Sequence, residues 1–183
     1  MLDGIRDKKV IQIKNFFTKD ELSILQPYCL DKTLTPQPEN LKDPQSITSA
    51  YFYNDQVLNI MLHNKLSKAE EISKVKLFPT YAFWRGYTFG SILKDHKDRP
   101  SCEISITACI DSCGTKWPIH MEHNYMDIEV GDAVMYLGCD LLHGRTDHFK
   151  GKYMAQVFFH YVDRDGPFRE HRNDIIYKSG LAI

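Results

Sequence analysis

The 183-residue sequence contains no internal repeat and no low-complexity tract. No apolar run approaches the ~20 residues of a membrane helix, so a membrane role is excluded from the expectations. Charge of one sign is also lacking: 23 Lys and Arg against 24 Asp and Glu leave a formal charge of −1. That balance removes the overall basic footprint of a nucleic-acid binder, and no clustered basic groove replaces it. The five cysteines include no CxxC pair and are odd in number, which fits free thiols better than a disulfide framework. Cys109 and Cys113 have no second ligand pair at matching spacing, so a zinc site there is disfavoured. The opening MLDGIRDKKVIQIKNFF has no apolar stretch resembling a secretory leader, and a cytoplasmic location is expected.

What is present describes an ordinary globular chain. At 43% hydrophobic and 26% charged residues it can bury a core, and its length suits one domain spanning 1–183. Thr18-Lys-Asp-Glu21 forms a capping box, with Phe17 and Leu22 as its staple. Pro27 is expected to kink or end the helix that follows. The stretch KTLTPQPENLKDPQS reads as an extended loop, either a surface connection or a flap over a site. Val57, Leu58, Met61, Leu62, Leu66, Ala69 and Ile72 recur at helical spacing and predict a second helix from about Asp55 to Ser73, with His63 on its surface.

From about residue 78 the period changes to two. Ile104, Ile106, Ala108 and Ile110 alternate with Glu103, Ser105, Thr107 and Cys109, marking a half-buried strand. Trp117, Ile119 and Met121 repeat the pattern. Glu129-Val-Gly-Asp132 turns into AVMYLG, and Gly151 precedes the long strand KYMAQVFFHYV. Helices first and short antiparallel strands afterwards give an α+β fold, with a sandwich or barrel carrying helical packing on one side. The boundaries fall near 1–77 for the helical part and 78–163 for the strands. A polar, partly ordered tail follows.

The chemistry concentrates in LKDHKDRPSCEISIT, residues 93–107. Residues two apart on a strand share a face, so His96 and Asp98 project together, and His143 in LLHG offers a third ligand. Two histidines and one carboxylate leave three coordination positions open, the arrangement used by non-haem Fe(II) oxygenases. An HxD alone is weak and fits a solvated strand edge as well.

The order of features is more specific. Tyr87-Thr-Phe-Gly90-Ser-Ile-Leu93-Lys-Asp-His96-Lys-Asp98, then Glu129-Val-Gly131-Asp132-Ala-Val-Met-Tyr136, then His143-Gly144, resembles the Fe(II)/2-oxoglutarate-dependent dioxygenases, particularly those similar to prolyl 4-hydroxylases. The resemblance covers residues 78–162. It implies a double-stranded β-helix (jelly-roll) core, with ferrous iron held by His96, Asp98 and His143. It also implies 2-oxoglutarate as co-substrate, dioxygen as oxidant and ascorbate as a further candidate. Its basic residue for the far carboxylate of 2-oxoglutarate corresponds to Lys152, sharing a strand face with Met154, Gln156 and Phe158. Arg145 and Lys150 are the fallbacks. Tyr87 corresponds to a tyrosine lining the 2-oxoglutarate pocket, while Tyr81 and Trp84 fit that role or plain core. Two departures are visible: the interval from Asp98 to His143 is short, and the lysine comes slightly early.

The implied activity is hydroxylation of a C–H bond in an amino acid, a peptidyl residue or a small metabolite, with release of succinate and carbon dioxide. Arg99, Arg145 and Trp84 are the candidates for substrate contact, with pairing to Glu103 as the plain alternative for Arg99. The partner is then a small-molecule or peptide substrate. His120 and His123 form an HxxH whose strand spacing turns them to opposite faces, so a second metal site is discounted. His148, His160 and His171 read as surface or tail residues. Two rivals remain: a non-catalytic metal-binding jelly-roll of cupin type, and a structural β-sandwich with an incidental HKD.

Overall fold

The computed structural model describes residues 4–35, 46, 48–172 and 174. After a short helix α1 (Ile5–Lys8) and strand β1 (Val10–Ile13), helix α2 (Lys19–Leu34) begins at the expected capping box. Thr18 Oγ1 accepts from the Glu21 amide at 3.2 Å, and the Glu21 carboxylate accepts from the Thr18 amide at 2.7 Å. Pro27 does not end this helix. It lies on the exposed side, where water can take the carbonyl left without an amide partner. The second expected helix is two: α3 (Gln56–Asn64) and α4 (Leu66–Ser73). They meet at Lys65, whose buried ammonium reaches Glu21 at 2.7 Å and lies over the rings of Phe16 and Phe17. The suggested flap falls mostly outside the described residues, as does half of the tail.

The remaining strands are β2 (Ala50–Tyr53), β3 (Leu77–Thr88), β4 (Leu93–His96), β5 (Ile104–Ser112), β6 (Ile119–Met121), β7 (Asn124–Met126), β8 (Ala133–Leu137), β9 (His143–Arg145) and β10 (Tyr153–Asp163). They form a six-stranded sheet in the order β1-β8-β5-β10-β3-β2 and a four-stranded sheet in the order β4-β9-β6-β7. All ladders are antiparallel. From β3 onward the chain passes back and forth between the sheets, which is the jelly-roll arrangement. The N-terminal part is not purely helical, because β1 and β2 extend both edges of the larger sheet. Among the described residues no helix is long and apolar enough to cross a membrane.

Strand alternation sorts side chains into two environments. Ile104, Ile106, Ala108 and Ile110 of β5 join Ala155, Val157, Phe159 and Tyr161 of β10 in the main apolar core, with Leu25, Leu58 and Leu62 from the helices. The opposite face of β5 was expected to be half-solvated, yet Ser105, Thr107 and Cys109 are fully buried. The smaller sheet covers them, so the polar face of the larger sheet lines the interior of the roll. Gly86 marks the closest approach of α2, since a Cβ there would collide with the Thr33 side chain. Phe159 is fully buried, with ring centroids 6.2 Å from Phe16 and 6.1 Å from Phe17. Phe159→Ala is expected to cost about 3–5 kcal/mol, read as a lower urea midpoint at unchanged m-value.

Candidate metal centre and interior cavity

Strands β4 and β9 pair with His96 opposite His143, so the two imidazoles leave neighbouring backbones on one face. Asp98 follows just past the end of β4, where its amide donates to the Gly138 carbonyl at 2.9 Å. The Asp98 Oδ1 atom lies 3.7 Å from Nε2 of each histidine. That spacing approaches twice a metal–nitrogen bond of ~2.1 Å, and the three donors form one of the groups able to hold an ion.

The tautomers are fixed locally. Nδ1 of His96 lies 2.8 Å from the Lys94 carbonyl, and Nδ1 of His143 lies 2.9 Å from the Leu141 carbonyl. A carbonyl only accepts, so each Nδ1 carries the proton and each Nε2 presents its lone pair to the centre. Burial pushes the His143 pKa down to about 4, and burial together with neighbouring His143 lowers that of His96. Both are therefore neutral at pH 7, the state that binds metal. Burial moves Asp98 the other way, above its ordinary carboxylate range. A divalent ion there would restore its charge and use the converging lone pairs.

Behind Asp98 stands a small network. Ser105 Oγ is 3.1 Å from Asp98 Oδ2, 3.1 Å from the Cys102 carbonyl and 2.8 Å from His160 Nδ1. The hydroxyl has one proton for two acceptors, so His160 Nδ1–H donates to it. His160 was expected at the surface. It is 5% exposed, because it shares the interior face of β10 with Gln156 and Phe158. Its parity with Lys152 and Gln156 was the available signal, and Ser105 was readable from the same alternation. Cys102 and His160 also form, with Asp98, a second donor group around the same carboxylate. Tyr136 closes the far side, edge-on to His143 at 4.7 Å.

Lys152, expected as the carboxylate anchor, is exposed. It has the right strand parity but precedes the first ladder pair, Tyr153 with Thr88, and so lies beyond the sheet that would have buried it. Lys150 is exposed as well. A fallback candidate, Arg145, does lie inside the roll, two residues after His143 on β9 and 2% exposed. Its Nε donates to the Trp117 carbonyl at 3.1 Å, and its guanidinium lies 5.2 Å from the Trp117 ring and 6.0 Å from the Tyr87 ring. Arg145 Nη1, Tyr87 Oη and Gln156 Nε2 are buried without a hydrogen-bond partner. No carboxylate among the described residues pairs with this guanidinium. Buried donors left unspent are costly, and a carboxylate ligand would satisfy them.

The other candidates separate clearly. Trp84 faces the helices, fully buried and stacked on Phe52 at 4.1 Å, and belongs to the core. Arg99 does not pair with Glu103, which is held by Arg6 at 2.6 Å. It stands at the mouth of a cavity of about 310 Å³ whose floor is the histidine–aspartate cluster and whose wall includes Tyr81. His120 is bonded to Asp95 at 2.6 Å and forms no donor group with His123 among the described residues. Cys109 is buried and Cys113 exposed, and no such group joins them either.

No family model matches the sequence, and no curated protein matches it. Solved structures do. The viral collagen prolyl hydroxylase vCPH of Paramecium bursaria Chlorella virus-1, solved as a 2OG complex, aligns over 85% of this chain and 97% of its own. The identity is 12% and the TM-score 0.63. HygX from Streptomyces hygroscopicus, solved with nickel and 2-oxoglutarate bound, aligns over 86% and 84%, with 10% identity and a TM-score of 0.65. SnoN, a non-heme alpha-ketoglutarate-dependent epimerase of nogalamycin biosynthesis, aligns over 87% and 80%, with 7% identity and a TM-score of 0.70. The fold is therefore that of the 2-oxoglutarate-Fe(II) oxygenases, as the sequence motifs led one to expect. Prolyl hydroxylases are among the proteins that share it.

Two outcomes test the centre. A Cβ on Gly138 would collide with Asp98 Oδ2 and the Cys102 carbonyl. Gly138→Ala is expected to weaken metal binding ~10–100-fold, read by titration with Co(II). The second concerns pH. The folded pKa of His143 lies below the ~6.5 of the unfolded chain. Between pH 6.5 and 4 the unfolded state therefore binds more protons. The contribution to stability is fully present above pH 6.5 and is lost as pH falls toward 4, by roughly 3 kcal/mol for this residue. Urea unfolding of the metal-free protein from pH 7 to 4.5 should show the decline, and His143→Gln should flatten it.

Proposed function

We propose that this protein is an Fe(II)- and 2-oxoglutarate-dependent oxygenase that hydroxylates a C–H bond of a small molecule or peptidyl residue. The observation that carries the proposal is the pairing of two sites inside one roll. One is a three-donor cluster with open approach; the other is a buried guanidinium that no carboxylate among the described residues pairs with.

When bound, ferrous iron and 2-oxoglutarate supply the oxidation of a substrate C–H bond by dioxygen, with decarboxylation of the keto acid to succinate. His96, Asp98 and His143 would hold the metal through Nε2, a carboxylate oxygen and Nε2. The Lys94 and Leu141 carbonyls keep the imidazoles oriented, and Ser105, backed by His160, keeps the carboxylate turned inward. Three protein donors of this kind would hold ferrous iron while leaving it open to a chelating co-substrate. The far carboxylate of 2-oxoglutarate would take the donors of Arg145, with the Tyr87 hydroxyl beside it. Arginine's planar fork suits a carboxylate at such a site. The surrounding Tyr136, Trp117 and Phe149 are buried and keep water from the reacting centre, which strengthens every polar contact within it. Asp98 would fill with a carboxylate the position that halogenating relatives leave to halide, so hydroxylation is the expected outcome over halogenation.

Anaerobic addition of Fe(II) and then 2-oxoglutarate should give a weak visible charge-transfer band. His143→Ala should abolish both metal binding and the band. Arg145→Gln should keep the metal and raise the apparent Kd for 2-oxoglutarate ~10–100-fold, whereas Lys152→Ala should leave it unchanged. Iron binding without a band would favour the cupin-type reading. No iron binding at all would leave a structural jelly-roll.

A further inference from the structure

Strand β4 meets β9 out of step. Leu93 lies opposite Arg145 and His96 opposite His143, with a register shift between them. Two residues of β4, Lys94 and Asp95, therefore share one place on β9, that of Gly144. This is a β-bulge, and it decides which side chain reaches the metal cluster. In a regular antiparallel ladder continued from Leu93, the residue opposite His143 would be Asp95, and His96 would turn to the other face. The extra residue rephases the strand. It also sets the Lys94 carbonyl 2.8 Å from His96 Nδ1, so the face that His96 takes and its tautomer both hang from the bulge.

Three residues in one row hold it. His120 of β6 lies opposite Gly144 of β9, one residue out of step with Met121, which opposes His143. Its ring is thus on the outer face of the smaller sheet. Asp95 stands on the other side of the same glycine, because β9 lies between β4 and β6. With no side chain at Gly144 to separate them, Asp95 Oδ1 and His120 Nε2 meet at 2.6 Å across β9. A Cβ on Gly144 would collide with Asp95 Oδ1 and the Leu93 carbonyl. His120 Nδ1 lies 3.1 Å from the Glu122 carbonyl and carries a proton, since a carbonyl only accepts. The ring is fixed at one edge and offers the other to Asp95.

We propose that Asp95 and His120 are positioning residues, whose contact over Gly144 holds β4 in the bulged phase and so keeps His96 opposite His143 with Nε2 free. The carboxylate acts twice. It ties the bulge to β6, and it penalises the regular phase, which would carry an unpaired Asp95 inward. An alanine at this position does neither. The inference rests on the metal-centre reading for what His96 binds but not for where His96 points, and the two are tested apart.

Asp95 is exposed, so its replacement leaves the core intact. In the metal-free full chain, long-range proton–nitrogen NMR of the imidazoles reads the tautomer of His96. The wild type should show the Nδ1–H form and Asp95→Ala a mixture. Asp95→Asn should restore the wild-type form, because an amide can meet His120 Nε2 whichever partner brings the proton. Co(II) affinity should fall ~10-fold or more in Asp95→Ala and by about as much in His120→Phe. The double variant should lose no more than either single one, since the two residues act as a unit. A merely structural contact would lower the urea midpoint of the metal-free variants and leave the His96 spectrum and the Co(II) affinity of the folded protein unchanged. That result would overturn the proposal, as would additive losses or no rescue by Asp95→Asn. Failure of every form, wild type included, to bind Co(II) would reject the metal reading, and the His96 spectra would still decide the role of the pair.

Discussion

The cross-strand pair of His96 with His143 is the constraint on which the three-donor cluster, and with it the proposed chemistry, depends. Two imidazoles brought together by antiparallel backbones cannot both be charged at low cost, and burial keeps both neutral. Their proton-bearing nitrogens are committed to backbone carbonyls of the same two segments. The local hydrogen bonding that shapes the ends of β4 and the approach to β9 therefore also aims the two free lone pairs. Moving the register by one residue would turn one ring to the opposite face, and Asp98 would have nothing to complete.

The polar interior is possible because the larger sheet is stabilised from its other side. Alternation gives the helices a continuous apolar surface made by Ile104, Ile106, Val157, Phe159 and Tyr161. That packing lets Ser105, Thr107, Gln156 and His160, one residue out of step on the same strands, be polar and buried. Partial pairing among them limits the desolvation cost: Thr107 donates to Gln156 at 3.2 Å, and His160 and Ser105 are bonded. Of the side-chain atoms left without a partner, Arg145 Nη1 and Tyr87 Oη belong to neighbouring groups on the interior side. Unsatisfied donors meeting at a buried position call for a partner that the described residues do not supply.

Strand periodicity, the HKD spacing and the glycine turn before β8 were legible because they are local. Each depends on side chains two apart or on one backbone turn. What escaped was set by where elements end. Lys152 has the correct parity, yet the ladder starts one residue later, so an alternating pattern could not tell an interior lysine from an exposed one. Arg145 was visible as a basic residue two after His143, but its burial required knowing that β9 is only three residues long and covered by Trp117 and Tyr87. Trp84 illustrates the reverse error: its neighbours on β3 face the cavity and it faces the helices. The alternation of Tyr81, Phe83, Arg85 and Tyr87 would have shown this had the strand been phased. The N-terminal strands carry too few residues to announce themselves by period, and their pairing is a tertiary fact.

Charge balance bears on the proposed filling of the interior. A divalent ion, a doubly charged keto acid, Asp98 and Arg145 would together come to no net charge. Two of these charges belong to the protein, and both are largely buried in the roll on short neighbouring segments, Asp98 just past β4 and Arg145 on β9. Burial raises the Asp98 pKa and lowers that of Arg145, so each charged form is disfavoured unless a counter-charge meets it. A cation at the three-donor cluster and a carboxylate at the guanidinium would each remove one of those penalties. The two proposed ligands therefore stabilise the charge states that bind them. The same burial that disfavours each charge alone makes the interior selective for a cation at one end and an anion at the other.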